Sequence, residues 1–183
     1  MDEMNFVEPI RDVDIFHDIQ STLKKENMRN YVLIMTGTYT GLRISDILKL
    51  KVKDVKDKKY IDIREKKTGK RNLIEINPLL RKVYKDYCSD MTEEDYLFRK
   101  SNLNKSISRN RAWRIMKDIG ERFGVDNLGT HTLRKTFGFH YYKQTGDIAT
   151  LMQMFNHSKE SITLKYIGIT QDKMNQARRD FEI

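Results

Sequence analysis

One stretch limits the fold more than any other. Met28 to Thr40 reads MRNYVLIMTGTYT, with Tyr31, Val32, Ile34, Met35 and Tyr39 spread around most of a helix. A helix that is apolar almost all round has no wet face, so it has to run through a core that other elements cover. Gly41 ends it. Ahead of it, Asp12 or Asp14 caps a helix through Leu23, with Val13, Phe16, Ile19 and Leu23 along one stripe, and Glu26-Asn27 breaks it. Behind it, Asn77-Pro78 turns into a helix over about Leu79 to Cys88. Ser106 or Ser108 opens another, closed by Gly124, with Trp113, Met116, Ile119 and Phe123 on one face and Trp113 assigned to the core. Only Leu50 to Ile76 changes period. Tyr60 to Arg64 and Asn72 to Ile76 alternate around a turn holding Gly69, which predicts a β-hairpin. At 183 residues one domain is expected. The expected class is α+β, mainly α-helical, with a small antiparallel hairpin.

The chemistry concentrates between Gly129 and Gly168. His131 and Arg134 are spaced to share a helix face, with Thr130 as a fair N-cap. Thr145-Gly146-Asp147 ends that helix and starts Ile148 to Phe155, and Asn156 leaves His157 at a turn. Ser158 to Glu160 cap a short helix, with Tyr166 beyond its far end. A forked guanidinium is a natural clamp for a phosphate diester. Histidines can pass protons to or from it, and a phenol can act as a covalent nucleophile. Each residue alone reads as ordinary packing or surface; only the grouping argues for chemistry.

The motifs carry a resemblance. His131-Thr132-Leu133-Arg134, Phe155-Asn156-His157-Ser158 and Tyr166 resemble the catalytic signature of the tyrosine recombinases, the phage-integrase family. Thr40-Gly41-Leu42-Arg43-Ile44-Ser45-Asp46 resembles that family's first arginine box. The resemblance implies a tyrosine-recombinase-like catalytic domain that breaks and rejoins DNA through a 3′-phosphotyrosyl link. It implies catalytic roles for Arg43, His131, Arg134, His157 and Tyr166, with Asp46 orienting groups from behind them. It also places an active-site lysine in the hairpin, where the Lys-Thr-Gly form points to Lys67; Lys66 and Lys70 are rivals, because a slip of one residue changes which side chain points inward. Residues 12–183 would form this domain and 1–11 a linker or extension. The DNA-clamping domain usual ahead of it is not seen in the sequence.

Lys plus Arg exceed Asp plus Glu by nine, which suggests a polyanionic partner. Arg109, Arg111, Arg114, Lys117 and Lys135 are the candidate DNA contacts. The expected partner is double-stranded DNA, bound by a homotetramer as the resemblance implies, with a monomer possible when free. No membrane partner is expected, and the setting is cytoplasmic. The single Cys88 excludes a disulfide framework within the chain and reads as a buried thiol. No cofactor and no metal are called for: His17, His131, His140 and His157 make no His-x3-His pair. A helix over Gln171 to Phe181 presents Met174, Ala177 and Phe181; it covers that stripe on its own domain or, by resemblance, on a neighbouring protomer. Two other readings stand beside recombination. One is a DNA-binding fragment or regulator that does not cut, and the other is a type IB topoisomerase-like enzyme.

Overall fold

The structure, a computed structural model, describes residues 7–65, 67, 69–100 and 103–182. α1 (Val13–Glu26) starts at Asp12, whose carboxylate accepts the N–H groups of Asp14 and Ile15. α2 (Met28–Thr40) is capped by the Asn27 side chain and stops at Gly41, which turns left-handed at φ 63°. Val32, Leu33, Ile34 and Met35 are at most 1% exposed, so α2 is the buried axis its composition requires.

A short α3 (Ile44–Ile47) and a 3-10 turn (Val52–Asp54) lead to the antiparallel pair β1 (Tyr60–Arg64) and β2 (Arg71–Glu75). Tyr60 faces Glu75 and Ile63 faces Asn72, and Ile61 and Ile76 are fully buried. α4 (Pro78–Tyr87) begins with proline at its first position and the Asn77 side chain as its cap. A second small hairpin, β3 (Arg99–Lys100) with β4 (Leu103–Ser106), was not expected, because Leu-Asn-Lys-Ser shows no alternation. α5 (Arg109–Phe123), α6 (Thr132–Thr145), α7 (Ile148–Phe155), α8 (Glu160–Tyr166) and α9 (Ile169–Arg179) complete the chain.

The main core gathers around α2 from α1 (Phe16, Ile19), α4 (Leu80, Tyr84), α5 (Ile115, Met116, Ile119) and α6 (Leu133). A smaller cluster, Phe139, Leu151, Phe155, Ile167 and Ile169, joins α6 to α7, α8 and the start of α9. α6 therefore lies between the two clusters and is buried on several sides.

Several details depart from expectation. Trp113 is 44% exposed; the buried face of α5 is Ala112, Ile115, Met116 and Ile119, one helical step away. α6 starts at Thr132 with His131 in the cap position and no side chain capping it; Thr132 closes back on Gly129, its N–H donating to the Gly129 carbonyl and its hydroxyl accepting the Gly129 N–H. Tyr166 forms the last residue of α8 instead of following it. α9 begins at Ile169 rather than Gln171, since Gly168 at φ 87° lets a new helix start at once. On α9 Met174 is 43% and Phe181 beyond it 71% exposed, so its own domain does not cover this stripe. Residues 7–11, read as part of a linker or extension, are laced to α6. Ile10 N donates to the Thr136 hydroxyl (2.9 Å), His140 Nε2 donates to the Ile10 carbonyl (2.9 Å), and Ile10 is 1% exposed. Among the described residues no helix is long and apolar enough to cross a membrane.

At Gly37, α2 packs tightly against Leu133 of α6. A Cβ there would lie 2.5 Å from Leu133 Cδ1 and 2.7 Å from its Cβ. Alanine normally gains about 1 kcal/mol over glycine inside a helix, whereas overpacking a tight core costs about 1–3 kcal/mol. The clash should dominate. Gly37→Ala is expected to lower unfolding free energy in urea titrations, and an unchanged or higher value would show that the two helices can part without cost.

Candidate active site

Arg134 is the buried centre of the site. It is 4% exposed, and its Nη1 donates to the Gly41 carbonyl (2.5 Å) and its Nη2 to the Phe155 carbonyl (3.1 Å). Its guanidinium carbon lies 4.2 Å from the centre of the Phe155 ring. Gly41 follows the last residue of α2, and Phe155 is the last residue of α7. Both carbonyls belong to helix C-terminal ends, where the backbone carries partial negative charge. Burial lowers the Arg134 pKa from its ordinary value, but a guanidinium stays charged.

The loop from Gly41 carries Arg43 to the same place. A Cβ on residue 41 would meet Phe137 at 2.6 Å as well as the left-handed backbone, so glycine is required there. Arg43 sits at the cap position of α3, and its Nη1 donates to Glu65 Oε2 at 2.5 Å. Glu65 Oε1 accepts from Asn72 Nδ2 at 3.0 Å. Asp46, one turn into α3, is 2% exposed, so it is no surface ion-pair partner; its charge favours the cationic form of Arg134. Glu65 escaped the sequence reading as the lone acid in an otherwise basic hairpin tip. The available signal was alternation, since it continues the inward series Ile61, Ile63.

The two histidines and the tyrosine close the site. His131 Nδ1 lies 3.3 Å from the Tyr166 hydroxyl. His157, in the turn made by left-handed Asn156 (φ 54°), bonds through Nδ1 to the Thr163 hydroxyl at 3.0 Å. Its ring centre is 5.4 Å from that of Tyr166, edge on. Phe155 packs edge on against both rings. The charge of Arg43 bears on His131, His157 and Tyr166 alike, so residues far apart in sequence share one electrostatic pocket.

The lysines divide. Lys67 is exposed in the turn, near enough for its charge to act on His157. Lys70 Nζ donates to Asn156 Oδ1 at 2.8 Å, tying the hairpin to the His157 turn. Lys66 lies outside the described residues. Lys135, expected at a DNA surface, is instead 8% exposed; its ammonium donates to the Val7 carbonyl (2.7 Å) and lies 5.2 Å from the centre of the Tyr166 ring. Its position on α6 turns it under the nucleophile candidate, away from solvent. Arg109, Arg111, Arg114 and Lys117 are all exposed on α5. Arg109, Trp113 and Lys117 follow one another at helical spacing and line a cavity of about 300 Å³ that reaches His131; Arg111 and Arg114 occupy other sides of the helix.

Partial desolvation, then the positive charges of Arg109, Lys135, Arg134 and Arg43, hold His131 below the ordinary histidine pKa. Desolvation followed by Arg134, Arg43 and Lys67 does the same for His157. Burial raises the Tyr166 pKa, while Arg134 and Arg43 pull it down. At neutral pH the pocket therefore holds two neutral imidazoles and a protonated phenol. As pH falls below about 6.5, the unfolded chain takes protons that the folded histidines resist, so stability is expected to drop as pH passes down through their lowered values. An NMR titration assigned with His131→Asn and His157→Asn checks this; midpoints at or above 6.5 for both rings would contradict the electrostatics of the pocket.

The phage integrase family model matches residues 12–173. The probable integrase/recombinase YoeC of Bacillus subtilis (strain 168) is 43% identical over 178 residues, covering 97% of this chain and 98% of YoeC. Tyrosine recombinase XerA of Pyrococcus furiosus is 30% identical over 161 residues, covering 85% of this chain and 55% of XerA. The chain thus spans nearly all of YoeC and about half the length of XerA. Among solved structures, a XerA recombinase superposes with a TM-score of 0.72 at 23% identity, covering 96% of this chain and 65% of that one. A lambda integrase (75–356) dimer bound to a COC′ core site gives 0.68 at 17%, covering 88% and 59%. These structures share the fold, and the sequence matches extend along almost the whole chain. Arg43, His131, Arg134, His157 and Tyr166 share one pocket, and the protein belongs to the phage integrase, or tyrosine recombinase, family.

Proposed function

We propose that this chain is a site-specific DNA recombinase that cuts and rejoins DNA strands through a 3′-phosphotyrosyl intermediate. The observation that supports this best is the Tyr166 hydroxyl 3.3 Å from His131 Nδ1, inside a pocket on which the charges of Arg43 and Arg134 converge. Residues 12–183 act as the breaking and rejoining domain.

The steps follow from the side chains. A buried phenol is a poor nucleophile until its proton leaves. His131, kept neutral and with its proton on Nε2, accepts that proton at Nδ1. The phenolate oxygen attacks the scissile phosphorus, and Arg43 and Arg134 stabilise the charge that grows on the non-bridging oxygens. His157, fixed by Thr163, donates a hydrogen bond to the same phosphate. The bond from phosphorus to the 5′ oxygen breaks, and Lys67 supplies the proton that turns the leaving oxygen into a hydroxyl. The ester bond energy stays in the phosphotyrosyl link, so a 5′ hydroxyl from another strand can reverse the chemistry and join to it. No nucleotide cofactor is consumed. Arg109, Arg111, Arg114 and Lys117 hold phosphates beside the site, and four copies assemble on paired duplexes.

A duplex nicked next to the cleavage point traps the intermediate. The wild-type chain should form a covalent adduct that survives a chelator, and Tyr166→Phe should form none. Arg43→Ala or Arg134→Ala should slow adduct formation on the order of 100- to 1,000-fold. No adduct on DNA that the protein binds would favour a non-cutting regulator. Adduct without joining to a second strand would favour relaxation of the topoisomerase kind.

Affinity for duplex DNA should fall steeply with salt, because each phosphate contact releases counterions. Removing Arg109, Arg111, Arg114 or Lys117 singly should flatten the slope of log K against log salt by about 0.9 per lost contact. Slopes that match wild type in all four variants would move the DNA to another surface.

A further inference from the structure

We propose that Glu65 is a positioning residue for Arg43, fixing the plane in which that guanidinium meets the scissile phosphate. This rests on the recombinase reading above and adds to it a residue outside the family motifs recognised in the sequence.

The argument starts from an oddity of charge. Glu65 stands between Arg64 and a turn carrying Lys67 and Lys70, both exposed, yet its own side chain is only 4% exposed. A carboxylate leaves water only when both oxygens find donors. Here one oxygen takes the Arg43 Nη1 and the other the Asn72 amide of the facing strand. Asn72 alone could anchor the hairpin; the contact to Arg43 does something more. Arg43 lies at the cap of α3, and its long side chain keeps its rotamer freedom unless something holds it. A guanidinium carries five N–H donors in a rigid plane. Holding one edge on Glu65 therefore sets where the opposite edge points. Charge-assisted bonds of this kind are short and about twice as strong as neutral ones.

Glu65 also belongs to the hairpin turn itself. Its N–H donates to the Lys70 carbonyl at 2.9 Å, and its carbonyl accepts from Gly69 N at 2.9 Å. The residue that holds Arg43 thus also holds the turn that presents Lys67, and Lys70 pins that turn to Asn156 beside His157. The phosphate clamp and the leaving-group acid are registered to each other through one side chain and its own backbone.

The test uses the full chain with Glu65→Gln, which keeps the volume and the Asn72 contact but removes the charge. Two nicked duplexes are compared, one with a normal scissile phosphate and one with a methylphosphonate there, which lacks the charged oxygen that Arg43 serves. On the phosphate, Glu65→Gln should slow single-turnover adduct formation roughly 10- to 100-fold, as misplacement of a catalytic group does, with duplex Kd changed less than about 3-fold. On the methylphosphonate the loss should shrink to within about 3-fold, because the misplaced charge no longer matters there. An equal loss on both duplexes would mean that Glu65 only supports the hairpin, and no loss on either would also overturn the proposal. A wild-type chain that makes no adduct would speak against the recombinase reading, not against this contact. The contact is then judged by NMR exchange of the Arg43 Nε–H: faster exchange in Glu65→Gln supports the clamp, and unchanged exchange overturns it.

Discussion

The structure depends on one guanidinium placed where two helices end. Arg134 donates to carbonyls at the C-terminal ends of α2 and α7 and faces the Phe155 ring. Hydrogen bonds from a charged donor are worth about 1.5–3 kcal/mol each in proteins, and leaving a buried guanidinium unpaired would cost more than that. The same side chain therefore joins the main core to the smaller cluster of α6 to α9. It also fixes Gly41, and with it the loop that delivers Arg43. Fold and site share this residue, so neither can be altered there alone.

Around that centre the charges are arranged in opposition. Two guanidinium groups face two buried carboxylates, Asp46 and Glu65. The acids make it possible for the arginines to leave water; burial, with the charge of the arginines, in turn depresses both imidazoles. What results is a positively charged pocket whose two imidazoles are neutral at physiological pH. Tyr166 is the exception: burial opposes its ionisation, while Arg134 and Arg43 favour it.

Much of this could be read from the residues. α2 matched its expected limits at both ends, because asparagine and glycine cap it without competition and its composition allows only burial. α7 matched as well, through Asp147 and Asn156. Spacing and resemblance pick out Arg43, His131, Arg134, His157 and Tyr166, and the fold brings these five side chains to one pocket. Tertiary choices were not legible. Trp113 fits the apolar stripe of α5 as well as its neighbours do, and only the packing of α1 and α3 on that helix decides that it stays outside. Lys135 looked like surface because lysines usually are; a carbonyl from residue 7 holds it inside. Glu65 was hidden by its basic neighbours, since sequence shows composition of a turn but not which of its side chains faces in.

The strand of residues 7–11 has a mechanical side. Val7 grips Lys135 beneath the Tyr166 ring, Ile10 is fastened to Thr136 and His140, and Arg11 reaches Asp172 on α9 at 2.5 Å. These attachments flank Tyr166 along the chain, from before and after. A force applied to the chain at Val7 would be borne first by α6, through Lys135, Thr136 and His140, and then by α9, through Asp172.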